Sequence, residues 1–340
     1  MAKPQKPKAS SKAAKAPVLA KLSPPRLPKI VERTRLYREL DRARKHYPII
    51  WVTAAPGMGK TTLVASYLKA RKLSCLWYQV DDGDADPATL FHYLGLASKK
   101  AAPRYRQPLP HLTPEYLPGL PIFTRRFFEK LYGRLKNPSV VVFDNYQEIP
   151  VDVPSQELLS LGLQEVPDNV RVLVLSRTVP PPTLARLQAE QKIYCLKEEM
   201  FLLTEREIES VVKLKGGATG AKSSNHTAAQ LYQITGGWVA GVVLSLEHGP
   251  VESRPSKAGQ LQPPEVVFEF MAREVMKALP VDVQEVLLRT AFASSVTESM
   301  AQKLSGNPQA GKILRDLSRR RYFTERRVET EMVYQYHPLF

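Results

Sequence analysis

Ile49-Ile50-Trp51-Val52-Thr53-Ala54-Ala55-Pro56-Gly57-Met58-Gly59-Lys60-Thr61-Thr62 carries two patterns end to end. Its first six residues form a short apolar run, the mark of a buried parallel strand. Its remainder, AAPGMGKTT over 54–62, fits the second half of the phosphate-loop pattern G-x-x-x-x-G-K-[ST]. Ala54 stands where that pattern has its first Gly, a departure. The small residues Ala54, Ala55 and Gly57 still let the backbone curl tightly. Such a loop turns successive N–H groups toward a phosphate, and the dipole of the following helix adds to the attraction. Residues Ala55, Pro56, Gly57, Met58, Gly59, Lys60, Thr61 and Thr62 are the expected cradle. Lys60 is expected to reach the β- and γ-phosphates, and Thr61 to ligate magnesium through its hydroxyl.

Such a site needs an acid at the end of another buried strand. Val140-Val141-Val142-Phe143-Asp144 provides it, so Asp144 is the second expected magnesium ligand. Asn145 follows, where hydrolytic relatives of this motif often carry a second acid. An amide cannot take a proton from water, which points to slow or absent hydrolysis. Val170–Leu175 reads as the fourth strand, and Val172-Leu173-Val174-Leu175-Ser176-Arg177 ends it with Arg177, placed to contact a γ-phosphate at the ligand-binding edge of an open α/β sheet. No Asn-Lys-x-Asp guanine reader occurs, so ATP or ADP with magnesium is the expected ligand.

Working outward, Glu32–Lys45 reads as a helix and Ser74–Val80 as a strand. Helices are expected over Pro87–Ala97, Phe123–Leu135 and Gln156–Leu163, and a fifth strand over Ile193–Leu196. Residues 101–121 hold six prolines and suggest an irregular excursion. Strands alternating with helices imply a parallel sheet covered on both faces. From Thr204 the pattern is helical, opening on the capping-box sequence Thr204-Glu205-Arg206-Glu207. Gly216–Ser224 reads as a loop, followed by helices over Asn225–Ile234 and Val239–Glu247. Helices over Val266–Leu279, Asp282–Thr290, Glu298–Leu304 and Ala310–Ser318 precede a hairpin of Tyr322–Arg327 and Met332–Tyr336, a winged-helix pattern. The expected organisation is a basic tail (1–22), a phosphate-loop domain (23–203), a helical domain (204–248), a linker (249–264) and a winged-helix domain (265–340). The fold class is α/β, with the parallel sheet of a P-loop NTPase followed by the two smaller units.

The net charge is +16, and residues 1–31 hold seven lysines and one arginine with no acid. Residues 1–20 lack the apolar bulk to fold, so a solvated tail is expected, with at most weak, salt-dependent contact to DNA. The sequence shows neither a secretory signal nor an apolar run of about eighteen residues, and a cytoplasmic protein with no membrane partner is expected. Cys75 and Cys195 each lie in an apolar strand-like run and read as buried, reduced thiols.

Several segments fall together: Leu22-Ser23-Pro24-Pro25-Arg26, AAPGMGKTT (54–62), WYQVDDGD (77–84), VVVFDNYQ (140–147), VLVLSR (172–177), Thr235-Gly236-Gly237-Trp238 and Tyr336-His337-Pro338-Leu339-Phe340. This set resembles the STAND class of signal-transduction ATPases, in the branch of the bacterial maltose-regulon activator and the large LuxR-type regulators. The resemblance runs from about residue 22 to the last residue. It implies domains that close around ADP at rest and rearrange when an inducer lets ATP in. It further implies that His337 touches the β-phosphate of ADP and latches the winged-helix domain. By the same resemblance Arg177 senses the γ-phosphate and Val31–Arg35 lies over the adenine. Asn145 departs from the family's usual Asp. A sensor region and a DNA-binding effector domain normally follow, so these residues read as the switch module of a longer regulator. An unknown inducer or partner protein and ATP-favoured self-association are the implied partners.

Two other readings compete. A small-molecule phosphotransferase uses the same loop, with Arg125-Arg126 as its best lid candidate. A nucleic-acid-binding module would use the basic tail together with Arg319-Arg320-Arg321 and Arg326-Arg327.

Overall fold

The computed structural model describes residues 19–135, 139–150, 152–219, 227–247, 279–293, 295–319, 324–328 and 332–336, with the single positions 267, 269 and 276. The tail to residue 18, the expected linker at 249–264 and His337 lie outside the described residues.

Five strands form one parallel sheet: β1 (Ile49–Thr53), β2 (Ser74–Gln79), β3 (Ser139–Asp144), β4 (Val170–Ser176) and β5 (Ile193–Leu196), in the order β2-β3-β4-β1-β5. Alternate residues along each strand face opposite sides. Ile50, Val52, Val140, Val142, Leu173 and Leu175 pack with Leu36, Leu40, Val64 and Tyr67 from α1 (Thr34–His46) and α2 (Lys60–Ala70). Trp51, Tyr78, Val141, Phe143, Val172 and Val174 pack on the other side with α3 (Pro87–Ala101), α4 (Leu120–Gly133) and α5 (Pro154–Gln164). Burial on both faces explains why these strands read as continuous apolar runs rather than as alternating ones. A short helix, α6 (Ala185–Ala189), precedes β5.

Local chemistry sets the helix ends. Asp86 accepts from the Thr89 N–H at 2.8 Å, and Pro87 begins α3 where a missing N–H costs nothing. Thr204 and Glu207 exchange hydrogen bonds at the start of α7 (Glu205–Thr219), as the capping-box sequence suggests. Thr227 and Gln230 do the same for α8 (Ala228–Thr235), which Gly236 ends in the left-handed region at φ 58°. After two further residues, α9 spans Val239–Glu247.

The C-terminal unit holds α10 (Val281–Thr290), β6 (Val296–Thr297), α11 (Glu298–Ser305), α12 (Ala310–Arg319), β7 (Thr324–Val328) and β8 (Met332–Tyr336). The expected hairpin is present, and β6 extends it to an antiparallel sheet ordered β6-β8-β7. Helices before a small antiparallel sheet agree with the winged-helix expectation. Buried Leu314 and Tyr334 sit in its core, and Thr290 bonds Tyr336 through their hydroxyls at 2.6 Å.

Three expectations need correction. Cys195 is exposed, because β5 is an edge strand paired only with β1; Cys75 is half-buried, and both are free thiols. The excursion at 101–121 is not wholly irregular, since Pro114–Gly119 forms a 3-10 turn leading into α4. Gly216–Thr219 continues α7 rather than forming a loop.

Gly162 on α5 marks the closest approach of α4. A Cβ there would lie 2.4 Å from the Phe128 ring, which is itself buried. Alanine gains about 1 kcal/mol of helix propensity over glycine, and overpacking against a fixed ring costs about 3 kcal/mol. Gly162→Ala is therefore expected to destabilise the protein by about 2 kcal/mol. Urea denaturation checks this, and an unchanged midpoint would contradict the tight α4–α5 contact.

Candidate functional site

Gly57 and Gly59 both adopt positive φ, 73° and 79°, which a side chain would resist. These two residues bend the loop after β1 so that α2 begins at once with Lys60. The ammonium of Lys60 donates to the carbonyls of Ala54 (2.5 Å) and Ala55 (3.1 Å). The next residue, Thr61, donates its hydroxyl to Asp144 Oδ1 at 3.0 Å. Strand β4 separates β1 from β3, so only a residue in the first turn of α2 spans from the loop to the end of β3.

Electrostatics follow from enclosure. Burial, aided by the nearby Arg177 cation, pulls the Lys60 pKa down to about 8, while Glu198 and Asp144 partly oppose the fall. Burial pushes the Asp144 carboxyl above its ordinary value, opposed by the Thr61 hydroxyl, the Asn145 N–H and Lys60. A bound cation at Asp144 and an anion at Lys60 would each relieve these strains. Thr61 and Asp144 offer two hard oxygen donors on one side of the loop, which suits magnesium. Among the described residues no group of three His, Cys, Asp or Glu gathers as a metal site of the zinc type.

Other expected residues cluster at the same sheet edge. Asn145 takes a left-handed conformation at φ 60°, one that Asn tolerates better than most residues. Arg177 donates its backbone N–H to Gln147 Oε1 at 3.0 Å. Arg33 and Arg35, in the segment expected over adenine, tie the stretch leading into α1 to the segment that opens α7. Arg33 donates to the carbonyls of Phe201 (2.9 Å) and Leu202 (3.1 Å), and both arginines pair with Glu207. Arg125 and Arg126 are exposed on α4, and Arg125 pairs with Glu165 at 3.4 Å.

Three contacts escaped sequence reasoning. Glu198 accepts from the Ala55 N–H at 3.1 Å. More consequentially, Trp238 donates its indole N–H to the Pro56 carbonyl at 3.1 Å, and the Ala240 N–H bonds the Gly57 carbonyl at 3.0 Å. A loop that turns its N–H groups inward turns its carbonyls outward, where they need donors. The turn between α8 and α9 and the first turn of α9 supply one each, from Trp238 and Ala240. Gly237 lets the α8–α9 turn close, since its φ is 82° and a Cβ would meet the Leu203 carbonyl at 2.5 Å. The Gly-Gly-Trp triplet was the available signal, but nothing local links it to a loop 182 positions away.

Residues 272–340 match the MalT winged helix domain family. Over most of its length the chain is similar to MalT proteins. The HTH-type transcriptional regulator MalT of Cronobacter sakazakii (strain ATCC BAA-894) is 25% identical over 331 residues, 94% of this chain and 36% of that protein. MalT of Serratia proteamaculans (strain 568) is 25% identical over 332 residues, again 94% of this chain and 35% of the relative. The chain thus spans about a third of the length of these MalT proteins. The Walker-type ATPase of Pyrococcus abyssi superposes with a TM-score of 0.60 at 14% identity, covering 91% of this chain and 94% of that one. That likeness is one of fold alone. Among the described residues no helix is long and apolar enough to cross a membrane.

Proposed function

We propose that this MalT-like chain is a regulatory module that binds ATP or ADP with magnesium and changes shape with the nucleotide. The observation carrying this reading is the double grip of Trp238 and Ala240 on the Pro56 and Gly57 carbonyls. A phosphate loop held by a neighbouring helical unit transmits any change in the loop to that unit. In this reading the 54–62 loop holds the phosphates, Lys60 neutralises them, and Thr61 with Asp144 holds magnesium. Magnesium, when bound, offsets phosphate charge. Asn145 supplies no base for water, so turnover is slow and the bound nucleotide itself is the signal. Arg177 and His337 take the sensing and latching roles that the resemblance implies. ATP favours an open, self-associating form, and ADP a closed monomer. An inducer acts by binding one form more tightly than the other. Transcriptional output through a separate effector region belongs to the same proposal.

The test is nucleotide identity followed by shape. Purified protein is expected to release ADP on denaturation. After exchange, Mg-ATP and Mg-ADP are expected to give different elution volumes on size exclusion and different proteolytic fragments. Identical profiles with the two nucleotides would end the switch reading, and a phosphorylated small-molecule acceptor would favour the phosphotransferase instead.

A further inference from the structure

A groove of about 490 Å³ lies beside Thr61, Asp144 and Asn145. Its opposite wall is the segment before α1, through Ser23, Pro25 and Arg26. That segment is fixed like a strap. Lys21 forms ion pairs with Asp81 (2.7 Å) and with fully buried Asp84 (2.8 Å), which also accepts from the Tyr78 hydroxyl at 2.7 Å. The same ammonium lies 5.3 Å from the Tyr78 ring centroid and 4.9 Å from that of Tyr93. Lys100 donates to the Leu22 carbonyl at 2.8 Å and to the Ser23 hydroxyl. Two prolines, Pro24 and Pro25, then hold the backbone extended up to Arg26.

Three cations of this N-terminal stretch are already engaged. Lys21 serves Asp81 and Asp84, and Arg33 and Arg35 serve Glu207. Arg26 is the cation among the residues lining this groove, it is exposed, and it makes no ion pair among the described residues. Arg26 lines the same groove as Thr61 and Asp144, beside the place where, in the proposed site, a phosphate beyond the β-phosphate would project. Its planar fork matches a terminal phosphoryl group.

We propose that Arg26 is a γ-phosphate-reading residue, which makes the strap a discriminator of nucleoside triphosphate from diphosphate. This rests on the reading of Lys60, Thr61 and Asp144 as the phosphate and magnesium site. Arg177 approaches from β4, whereas Arg26 approaches from the chain's own N-terminal side, so the two contacts are separable. The strap is anchored to the far edge of the sheet at Asp81 and Asp84, so engaging Arg26 also reports the triphosphate to that edge.

The experiment is equilibrium binding of Mg-ATP and Mg-ADP to the full chain by calorimetry, for the wild type, Arg26→Ala, Arg26→Lys and Lys60→Met. Arg26 is exposed, so the folding of its variants is expected to match wild type by circular dichroism. Arg26→Ala is expected to weaken ATP by about tenfold or more, the loss of a charge-assisted hydrogen bond, and to leave ADP within about twofold. Arg26→Lys is expected to fall between, since it keeps the charge and loses the fork. Equal weakening of both nucleotides, or no change in either, would overturn the role of Arg26 while leaving the phosphate site intact. A wild type that binds neither nucleotide would overturn the underlying site as well, and Lys60→Met indistinguishable from wild type would do the same.

Discussion

Lys60→Met is expected to weaken nucleotide binding by roughly 100-fold or more, because a lysine bridging two phosphates makes at least two charge-assisted contacts. The same variant is expected to leave the nucleotide-free protein as stable as wild type or more so. Burial, with Arg177 beside it, lowers the Lys60 pKa from 10.5 to about 8, so folding disfavours its charge. Methionine fills similar volume without that charge, at the cost of the hydrogen bonds to the Ala54 and Ala55 carbonyls. Affinity and stability therefore move in opposite directions, as expected of a residue kept for function. The sign with pH follows. Between about 8 and 10.5 the unfolded chain holds a proton on Lys60 that the folded chain has released. Stability contributed by this group therefore rises with pH across that window. Nucleotide affinity runs the other way, because phosphates need the ammonium and binding must take up the missing proton. Affinity is expected to be flat below pH 7 and about tenfold weaker at pH 9. In Lys60→Met this pH dependence is expected to disappear. Calorimetric titrations at pH 7, 8 and 9 check both statements, and a wild-type affinity constant from pH 7 to 9 would remove Lys60 from the binding step.

The sheet was legible because both its faces are covered. Ile49–Val52, Val140–Phe143 and Val172–Leu175 are apolar throughout, and uninterrupted runs of that kind are easy to see. The proximity of Thr61 to Asp144 was legible for a related reason. A loop leaving one buried strand and an acid ending another emerge at the same edge of a parallel sheet. What stayed hidden depends on contacts distant in sequence. Cys195 looked buried because its run is apolar, but only strand order reveals that β5 is an edge. Glu198 carries no pattern of its own, and Leu22–Arg26 stood out only as part of the resemblance; what each holds comes from what it touches. The two-residue β6 is too short to show any periodicity. Trp238 is the clearest case: its neighbours in sequence mark a turn, while its partner is the Pro56 carbonyl.

Replacing Trp238 is therefore expected to have the largest effect on stability. Its side chain is 1% exposed, and its ring already fills the space a Cβ on Gly57 would need, at 2.8 Å. Trp238→Ala removes that packing and is expected to cost about 3–5 kcal/mol. Trp238→Phe keeps most of the ring but strands the Pro56 carbonyl, a loss of about 1–3 kcal/mol for one buried acceptor left without its donor. Because that carbonyl belongs to the phosphate loop, the two variants separate packing from loop bracing. If the indole N–H braces the loop, Trp238→Phe weakens nucleotide binding beyond what its modest loss of stability explains, measured at a temperature where the variant is fully folded. Tryptophan emission adds an independent readout: nucleotide titration of the wild type is expected to shift it, and Trp238→Phe to lose that component while Trp51 and Trp77 remain. Gly57→Ala approaches the same contact from the loop side, combining a strained left-handed alanine with overlap against Trp238 and Ala240. If Trp238→Phe binds nucleotide like wild type and keeps its emission response, the helical unit does not sense the loop through this residue, and the coupling must run through its neighbours Val239 and Ala240.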